Sequence, residues 1–168
     1  MTRIATMYYF AYGSNMSSPR LTARVPDARV HCTAQLLGYR LCFHKIGRDG
    51  SAKCDAQLTA CSGDVVHGVV YRIPSEQRPR LDACEGLGQG YRAADVRLKR
   101  DDGDDLEAFC YLATRTDPGL RPFDWYREHV LYGAREHGLP LTYRAAIAAV
   151  AVWPDPDWVR RERELALY

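Results

Sequence analysis

Residues 8–15 have the sequence YYFAYGSN, and this stretch decides how the beginning of the chain is interpreted. The aromatic run predicts a buried strand, because aromatic side chains favour a pleated, half-buried surface. The run stops at Gly13, and glycine permits the positive φ that a tight turn after a strand can require. We expect consecutive backbone N–H groups to fan out there before a helix begins. They would form a cradle for a carboxylate or a developing oxyanion.

A carboxylate far downstream is a candidate partner for this cradle. The predicted helix from residue 75 to about 84 places Leu81 and Cys84 three apart on one face, which we expect to point at the core. Glu85 follows at the helix end, before the glycine-rich loop 86–90. Two interpretations remain open on these residues alone: a solvated helix-end glutamate, or an acid/base residue beside a loop that allows close approach by a ligand.

The composition is that of an ordinary globular protein. The chain has 168 residues, of which 46% are hydrophobic and 26% charged, so we expect one domain spanning residues 1–168. The net charge is only +2, with Lys and Arg scattered among Asp and Glu, which argues against a nucleic-acid partner. The apolar run near the start is too short for a signal peptide or membrane span, so we expect a cytoplasmic protein with no membrane partner.

The pattern of strands and helices predicts an α+β fold. Strands are expected at residues 28–43 (two, broken at Gly38), 56–61, 65–73, 91–99 and 106–114, the last two joined by a DDGDD hairpin turn. Ser18 is the expected N-cap of a short helix that ends before Pro26. Three helices are expected near the end of the chain, at residues 122–136, 141–150 and 158–167. This order favours a small mixed, barrel-like sheet with flanking helices.

Several common catalytic constellations are absent from the sequence. No two His or Cys residues have metal-ligand spacing, and no phosphate-binding or dinucleotide motif is present, so we expect no metal and no cofactor. Ser14 as a nucleophile competes with its simpler role as a turn hydroxyl, since no His lies near it in sequence. The six cysteines are irregularly spaced with no C-x-x-C, which predicts free, mostly buried thiols.

Several blocks of the sequence resemble one known family. Residues 9–16, YFAYGSNM, resemble the signature of the γ-glutamylcyclotransferases, in which Tyr-Gly-Ser-Asn is followed by Leu or Met. The similarity continues through GVVY at 68–71 and LDACEG at 81–86, and resumes in GAREHGLPLTY at 133–143. The blocks stand in the family's order. Glutathione-specific relatives carry a Tyr-Gly-Ser-Leu type of loop instead, so Asn15 and the GLPL block point away from them.

The resemblance implies a fold, an activity and a set of site residues. It implies a small mixed β-barrel with flanking helices and a lyase or transferase of glutathione metabolism that needs no metal. It places the catalytic general acid/base at Glu85. The implied substrate-binding residues are Tyr9, Phe10, Ala11, Tyr12, Gly13, Ser14, Asn15, Tyr91 and Tyr126.

The implied reaction needs no nucleophile from the protein. The α-amine of a γ-glutamyl amino acid or amide attacks its own γ-carbonyl, and 5-oxoproline and a free amine result. An α-amine with a pKa of about 8 is already roughly a tenth neutral at pH 7. The demanding step is therefore protonation of the leaving nitrogen, which we assign to Glu85.

Two alternatives remain open alongside this reaction. One is an enzyme specific for γ-glutamyl amines or for a γ-glutamyl-protected natural product. The other is a non-catalytic γ-glutamyl-binding module, which an intact Glu85 disfavours because a pure binder gains little from a desolvated carboxylate. In each case the expected partner is a small γ-glutamyl molecule, bound by a monomer or a homodimer.

Overall fold

The computed structural model describes residues 4–168. Within this part of the chain, seven strands and five α-helices alternate in the order of an α+β protein. The strands are β1 Thr6–Ala11, β2 Arg29–Leu37, β3 Tyr39–Ile46, β4 Ala52–Leu58, β5 Val65–Pro74, β6 Tyr91–Arg100 and β7 Asp105–Ala113. The helices are α1 Ser18–Arg24, α2 Arg78–Glu85, α3 Asp124–Glu136, α4 Leu141–Ala148 and α5 Trp158–Leu165.

Five of the strands close into a mixed barrel. Their order is β1-β5-β2-β6-β7, and a parallel pairing of Tyr9 with Phe109 joins β7 back to β1. The other ladders are antiparallel. The β5 strand pairs on both sides, which explains why Val69, Val70 and Tyr71 are buried in succession. The predicted small mixed barrel with flanking helices is confirmed.

The remaining two strands form a separate hairpin, β3–β4, beside the barrel. Ala52 N donates to the carbonyl of Arg121 at 2.9 Å, and Ile46 N donates to that of Arg115 at 3.0 Å, which ties the hairpin to the segment after β7. The β4 strand begins at Ala52, although its β-rich pattern had predicted a strand at 56–61. The polar residues Lys53 and Asp55 interrupt the apolar pattern at its start. Asp55 is buried there because it accepts a hydrogen bond from Ala113 N on β7 at 2.8 Å.

Two helix boundaries are relevant to the site. Helix α1 is capped by Ser17, whose Oγ accepts from Arg20 N at 3.4 Å, so the N-cap lies one residue before the predicted Ser18. Helix α2 ends at Glu85 because Gly86 takes a left-handed conformation, with φ of 66°. Only glycine adopts this conformation without steric cost, and it turns the chain away directly after the carboxylate.

Candidate active site

A small pocket lies at the end of β1. Its walls come from the turn after β1, the end of α2, the start of β6, and parts of β4, β7 and α3. The lining residues are Tyr9, Tyr12, Gly13, Ser14, Asn15, Cys54, Glu85, Tyr91, Tyr111 and Tyr126. The barrel thus brings together eight of the ten residues selected from the sequence, although Tyr9 and Tyr126 are 117 positions apart.

The carboxylate of Glu85 is held through one of its two oxygens. Asn15 Nδ2 donates to Glu85 Oε1 at 2.7 Å, and Arg24 Nη1 donates to the same oxygen at 3.1 Å. Arg24 also donates to Asn15 Oδ1 at 3.1 Å, so the three side chains form a closed triangle. The Glu85 side chain is 15% exposed. Hydrogen bonds of this kind fix the direction of the carboxylate.

The second oxygen of the carboxylate is unoccupied by protein donors. Within residues 4–168, no group donates a hydrogen bond to Glu85 Oε2. Asn15 Nδ2 also lies 3.1 Å from the hydroxyl oxygen of Tyr9, which orients the amide from its other side. One oxygen is therefore anchored while the other is free to exchange a proton with a bound molecule.

The turn after β1 presents unpaired backbone amides, as predicted. Residues 14–16 form a single 3₁₀ turn, in which Met16 N donates to Gly13 O at 3.1 Å. In the described part of the chain, the N–H groups of Gly13, Ser14 and Asn15 donate no hydrogen bond. These residues also line the pocket, and unpaired backbone donors in such a position are available to an anion.

The reason for glycine at position 13 is space. The expectation of a positive φ was wrong, because Gly13 has φ of −110°. A Cβ added there would stand 3.0 Å from Cys54 Cβ and 3.5 Å from the Tyr126 hydroxyl. A side chain would therefore push into the pocket wall. Close approach of β4 and α3 to the turn is what requires glycine here.

The tyrosines around the pocket act as neutral hydrogen-bonding groups. Burial raises the pKa of Tyr9, Tyr91 and Tyr126 well above the ordinary value, and the Glu85 charge acts in the same direction. Tyr91 donates to Cys54 O at 2.5 Å, and Tyr126 accepts from Cys54 N at 2.9 Å. These bonds lock two walls of the pocket to β4.

Two residues selected from the sequence do not line the pocket. Phe10 is fully buried, and its ring packs against the backbone of Gly68 in the barrel core. Ala11 is also buried and pairs with Val69 in the ladder between β1 and β5. Both residues belong to the barrel core. Their packing fixes the end of β1 and so the position of the turn that follows it.

A wider, positively charged cleft opens from the pocket. It shares Ser14, Glu85, Tyr91 and Tyr126 with the inner pocket. Five cationic and two anionic side chains line it: Arg20, Arg24, Lys45, Arg48, Lys53, Asp49 and Glu85. This excess of positive charge within a nearly neutral protein makes the cleft a site for anionic groups.

Sequence reasoning missed several of these residues. Arg24, Tyr111 and the cations of β3 and β4 lie in segments that carried no motif. A basic residue in the last turn of α1 is common for helix-dipole reasons, so Arg24 gave no distinct signal. Cys84 is exposed and lines the cleft, so the prediction that it shares a core face with Leu81 was wrong. The eight-residue helix turns its last residues towards the cleft.

All six cysteines are free, as predicted, but Cys61 and Cys84 are exposed. Burial raises the pKa of the Cys54 thiol, which therefore stays protonated in the pocket.

Among residues 4–168, no three His, Cys, Asp or Glu side chains are grouped to hold a metal ion. No helix in this range has the length and apolar character required to span a bilayer.

Comparison with known proteins decides the family. The model of the AIG2-like family matches residues 65–147. The human γ-glutamylcyclotransferase is 32% identical over 146 residues, covering 84% of this chain and 77% of the human protein. This chain belongs to the γ-glutamylcyclotransferase family. The mouse γ-glutamylcyclotransferase is 31% identical over 149 residues, covering 86% of this chain and 79% of the mouse protein.

Solved structures agree with this membership of the γ-glutamylcyclotransferase family. One γ-glutamyl cyclotransferase superimposes with a TM-score of 0.87 at 27% identity, covering 97% of this chain and 98% of that one. A yeast cyclotransferase specific to glutathione has a TM-score of 0.62 at 13% identity, covering 85% of this chain and 94% of the yeast chain. The second likeness shows the shared fold alone. The family resemblance found in the sequence is confirmed.

Proposed function

We propose that this protein is a γ-glutamylcyclotransferase that converts a γ-glutamyl amino acid or amide into 5-oxoproline and a free amine, with Glu85 as general acid/base. The observation that carries the proposal is the asymmetric anchoring of Glu85. Oε1 is held by Asn15 and Arg24, no group of residues 4–168 donates to Oε2, and Glu85 lines a tyrosine-rich pocket. Family membership supplies the reaction class, and the site supplies the residues.

The inner pocket is suited to a folded γ-glutamyl group. The unpaired amides of the turn 13–15 provide donors for either the α-carboxylate or the oxyanion that develops at the γ-carbon. Neutral tyrosine hydroxyls border the same space, so no competing anion is present besides Glu85. Confinement in the folded geometry brings the α-amine to the γ-carbonyl, a proximity effect worth on the order of 7–11 kcal/mol in favourable cases.

The proton transfer follows from the position of the carboxylate. Asn15 and Arg24 hold Oε1, so Oε2 is the oxygen that accepts and returns the proton, and Glu85 acts first as the base. A bond forms between the α-nitrogen and the γ-carbon, and Oε2 takes a proton from that nitrogen. The bond from the γ-carbon to the leaving nitrogen then breaks as Oε2 returns the proton to it. The lactam and the amine are released, and Glu85 is ionised again.

Further parts of the proposal concern the form in which the protein acts. We propose that residues 1–168 act as a single domain, as a monomer or a homodimer, in the cytoplasm. The substrate is a small γ-glutamyl compound, and the mechanism uses no metal or cofactor. The substrate-binding residues that we propose are those that line the pocket: Tyr9, Tyr12, Gly13, Ser14, Asn15, Tyr91 and Tyr126.

The test is the variant Glu85→Gln. Glutamine preserves volume and keeps an oxygen for Asn15 and Arg24, but it has no transferable proton. We expect the fold and most of the substrate affinity to persist, while turnover falls by at least ~10²-fold. The readouts are release of 5-oxoproline from a panel of γ-glutamyl dipeptides, glutathione and γ-glutamyl amines, and calorimetric binding.

The matched control is Glu107→Gln, an exposed glutamate on β7. It makes the same chemical change away from the pocket, and its turnover should equal that of the wild type. Near-normal turnover in Glu85→Gln would remove Glu85 from the mechanism. Binding without any 5-oxoproline release by the wild type would favour a non-catalytic binding module.

A further inference from the structure

Two cations of the outer cleft have side chains that are not paired with a carboxylate in residues 4–168. Arg20 pairs with Glu164, Arg24 with Glu85, and Lys53 with Asp49 at 2.8 Å. Those side chains are already neutralised. Within the same residues, the side chains of Lys45 and Arg48 form no hydrogen bond and no ion pair. They are therefore the cations of the cleft that are available to a ligand.

Lys45 is unusual because it is buried as well as unpaired. Its residue exposure is only 7%, and its Nζ lies 4.5 Å from the centre of the Tyr91 ring. Burial lowers the pKa of Lys45 because desolvation penalises the ammonium ion, and the charge of Glu85 acts in the opposite direction. The stem of Lys45 is buried, whereas its Nζ is absent from the enclosed unpaired polar atoms of residues 4–168, so an anion bound in the cleft can accept a hydrogen bond from it.

Arg48 is the second unpaired cation that lines the cleft. It lies on the loop between β3 and β4, and its Nη2 stands 3.2 Å from the point that a Cβ on Gly86 would occupy. The guanidinium is thus placed beside the residue that follows Glu85. It is exposed, so a ligand that extends out of the cleft can reach it.

We propose that Lys45 and Arg48 form a subsite for the negative charge of the leaving group, so that preferred substrates are γ-glutamyl dipeptides with an acidic second residue. This inference rests on the proposed function. A γ-glutamyl group bound at the turn 13–15 presents its leaving nitrogen near Glu85, from which the outer cleft opens. The leaving amino acid then lies in the cleft, where two free cations match its two carboxylates.

The test compares two substrates that differ only in charge. γ-Glutamyl-glutamate and γ-glutamyl-glutamine have nearly the same shape, and only the first has a carboxylate on its second side chain. We expect the wild type to favour the acidic substrate in kcat/KM by about 10-fold or more, the order expected of one charge-assisted hydrogen bond. γ-Glutamyl-ethylamine, which has no charge on its leaving group, should be the poorest of the three.

Substitutions of Lys45 and Arg48 test whether these residues cause the preference for the acidic substrate. Lys45→Met keeps the length of the aliphatic stem, and Arg48→Met removes an exposed cation with little risk to folding. Each variant should bring the kcat/KM values of the two substrates to within a few-fold of each other. Lys45→Arg should restore part of the preference for the acidic substrate. Lys99→Met, an exposed lysine on β6 paired with Asp105, is the control and should keep the wild-type ratio.

The outcomes separate this inference from the proposed function. The subsite would be refuted if the wild type turned over both substrates with equal kcat/KM. It would also be refuted if Lys45→Met and Arg48→Met lowered kcat/KM equally for both substrates. In either case the proposed activity would stand. No 5-oxoproline from any substrate would overturn the proposed function instead. Calorimetry on Glu85→Gln gives the affinity ratio of the two substrates without turnover, and a ratio near one there also refutes the subsite.

Discussion

One carboxylate of helix α5 contacts a cation that lines the cleft, and removing its charge should destabilise the protein in a pH-dependent way. Glu164 on α5 accepts from Arg20 Nη1 at 2.7 Å and lies 3.0 Å from His129 Nε2. Arg20 is a buried residue of α1 that also lines the outer cleft. The variant Glu164→Gln would leave this buried guanidinium with a neutral partner.

The size of the effect follows from the pKa of the carboxyl. The hydrogen bond from His129 and the charge of Arg20 outweigh desolvation and lower the pKa of Glu164 from 4.5 to about 2. A shift of this size corresponds to about 3 kcal/mol of folding free energy at pH 7. The side chain is only 17% exposed, so solvent screening reduces this value little.

The sign of the pH dependence is determined by the direction of the shift. The folded-state pKa is lower than the unfolded one, so the stabilisation is complete above pH 4.5 and is lost as the pH falls towards 2. We therefore expect Glu164→Gln to be less stable than the wild type by about 3 kcal/mol at pH 7, with a difference that shrinks below pH 4.5. Urea unfolding at a series of pH values measures this difference.

A matched control removes the contribution of general surface charge. Glu162→Gln changes an exposed glutamate on the same helix and should leave the free energy of unfolding within about 0.5 kcal/mol of the wild type. A destabilisation by Glu164→Gln that is below about 1 kcal/mol at pH 7, or that stays constant down to pH 3, would refute the assignment.

Two further predictions concern the pocket and the reaction. Gly13→Val should impair substrate binding more than folding, because its side chain would meet Cys54 and the Tyr126 hydroxyl at the pocket wall. Calorimetry measures the loss of affinity and thermal melts measure the loss of stability. Normal affinity would show that the turn does not bind the substrate. Exhaustive chelation should leave turnover unchanged, since the described residues contain no metal-ligand cluster; loss of 5-oxoproline release that only a divalent cation restores would contradict the metal-free mechanism.

The sequence predicted the parts of the site that are defined by local chemistry. The aromatic strand, the turn at Gly13 and the carboxylate after a short helix are each encoded within a few residues, and their positions agree with the structure. The hairpin between β6 and β7 was likewise readable from its DDGDD turn. Local signals fail where the partner is distant, as for β4, whose start depends on bonds to residues beyond β7.

What the sequence by itself determined is the family, the barrel class and the candidate acid/base residue Glu85. Only the tertiary structure decided which groups surround that carboxylate. Arg24 reaches it from α1, 61 positions away, and Lys45 and Arg48 face the same cleft from the β3–β4 hairpin. The physical reason is that charged groups interact across short distances in space, whatever their separation in sequence, whereas a sequence motif records only neighbouring residues. Whether a lysine is an ordinary surface cation or a buried, unpaired one depends on strand pairing and packing that no local pattern records.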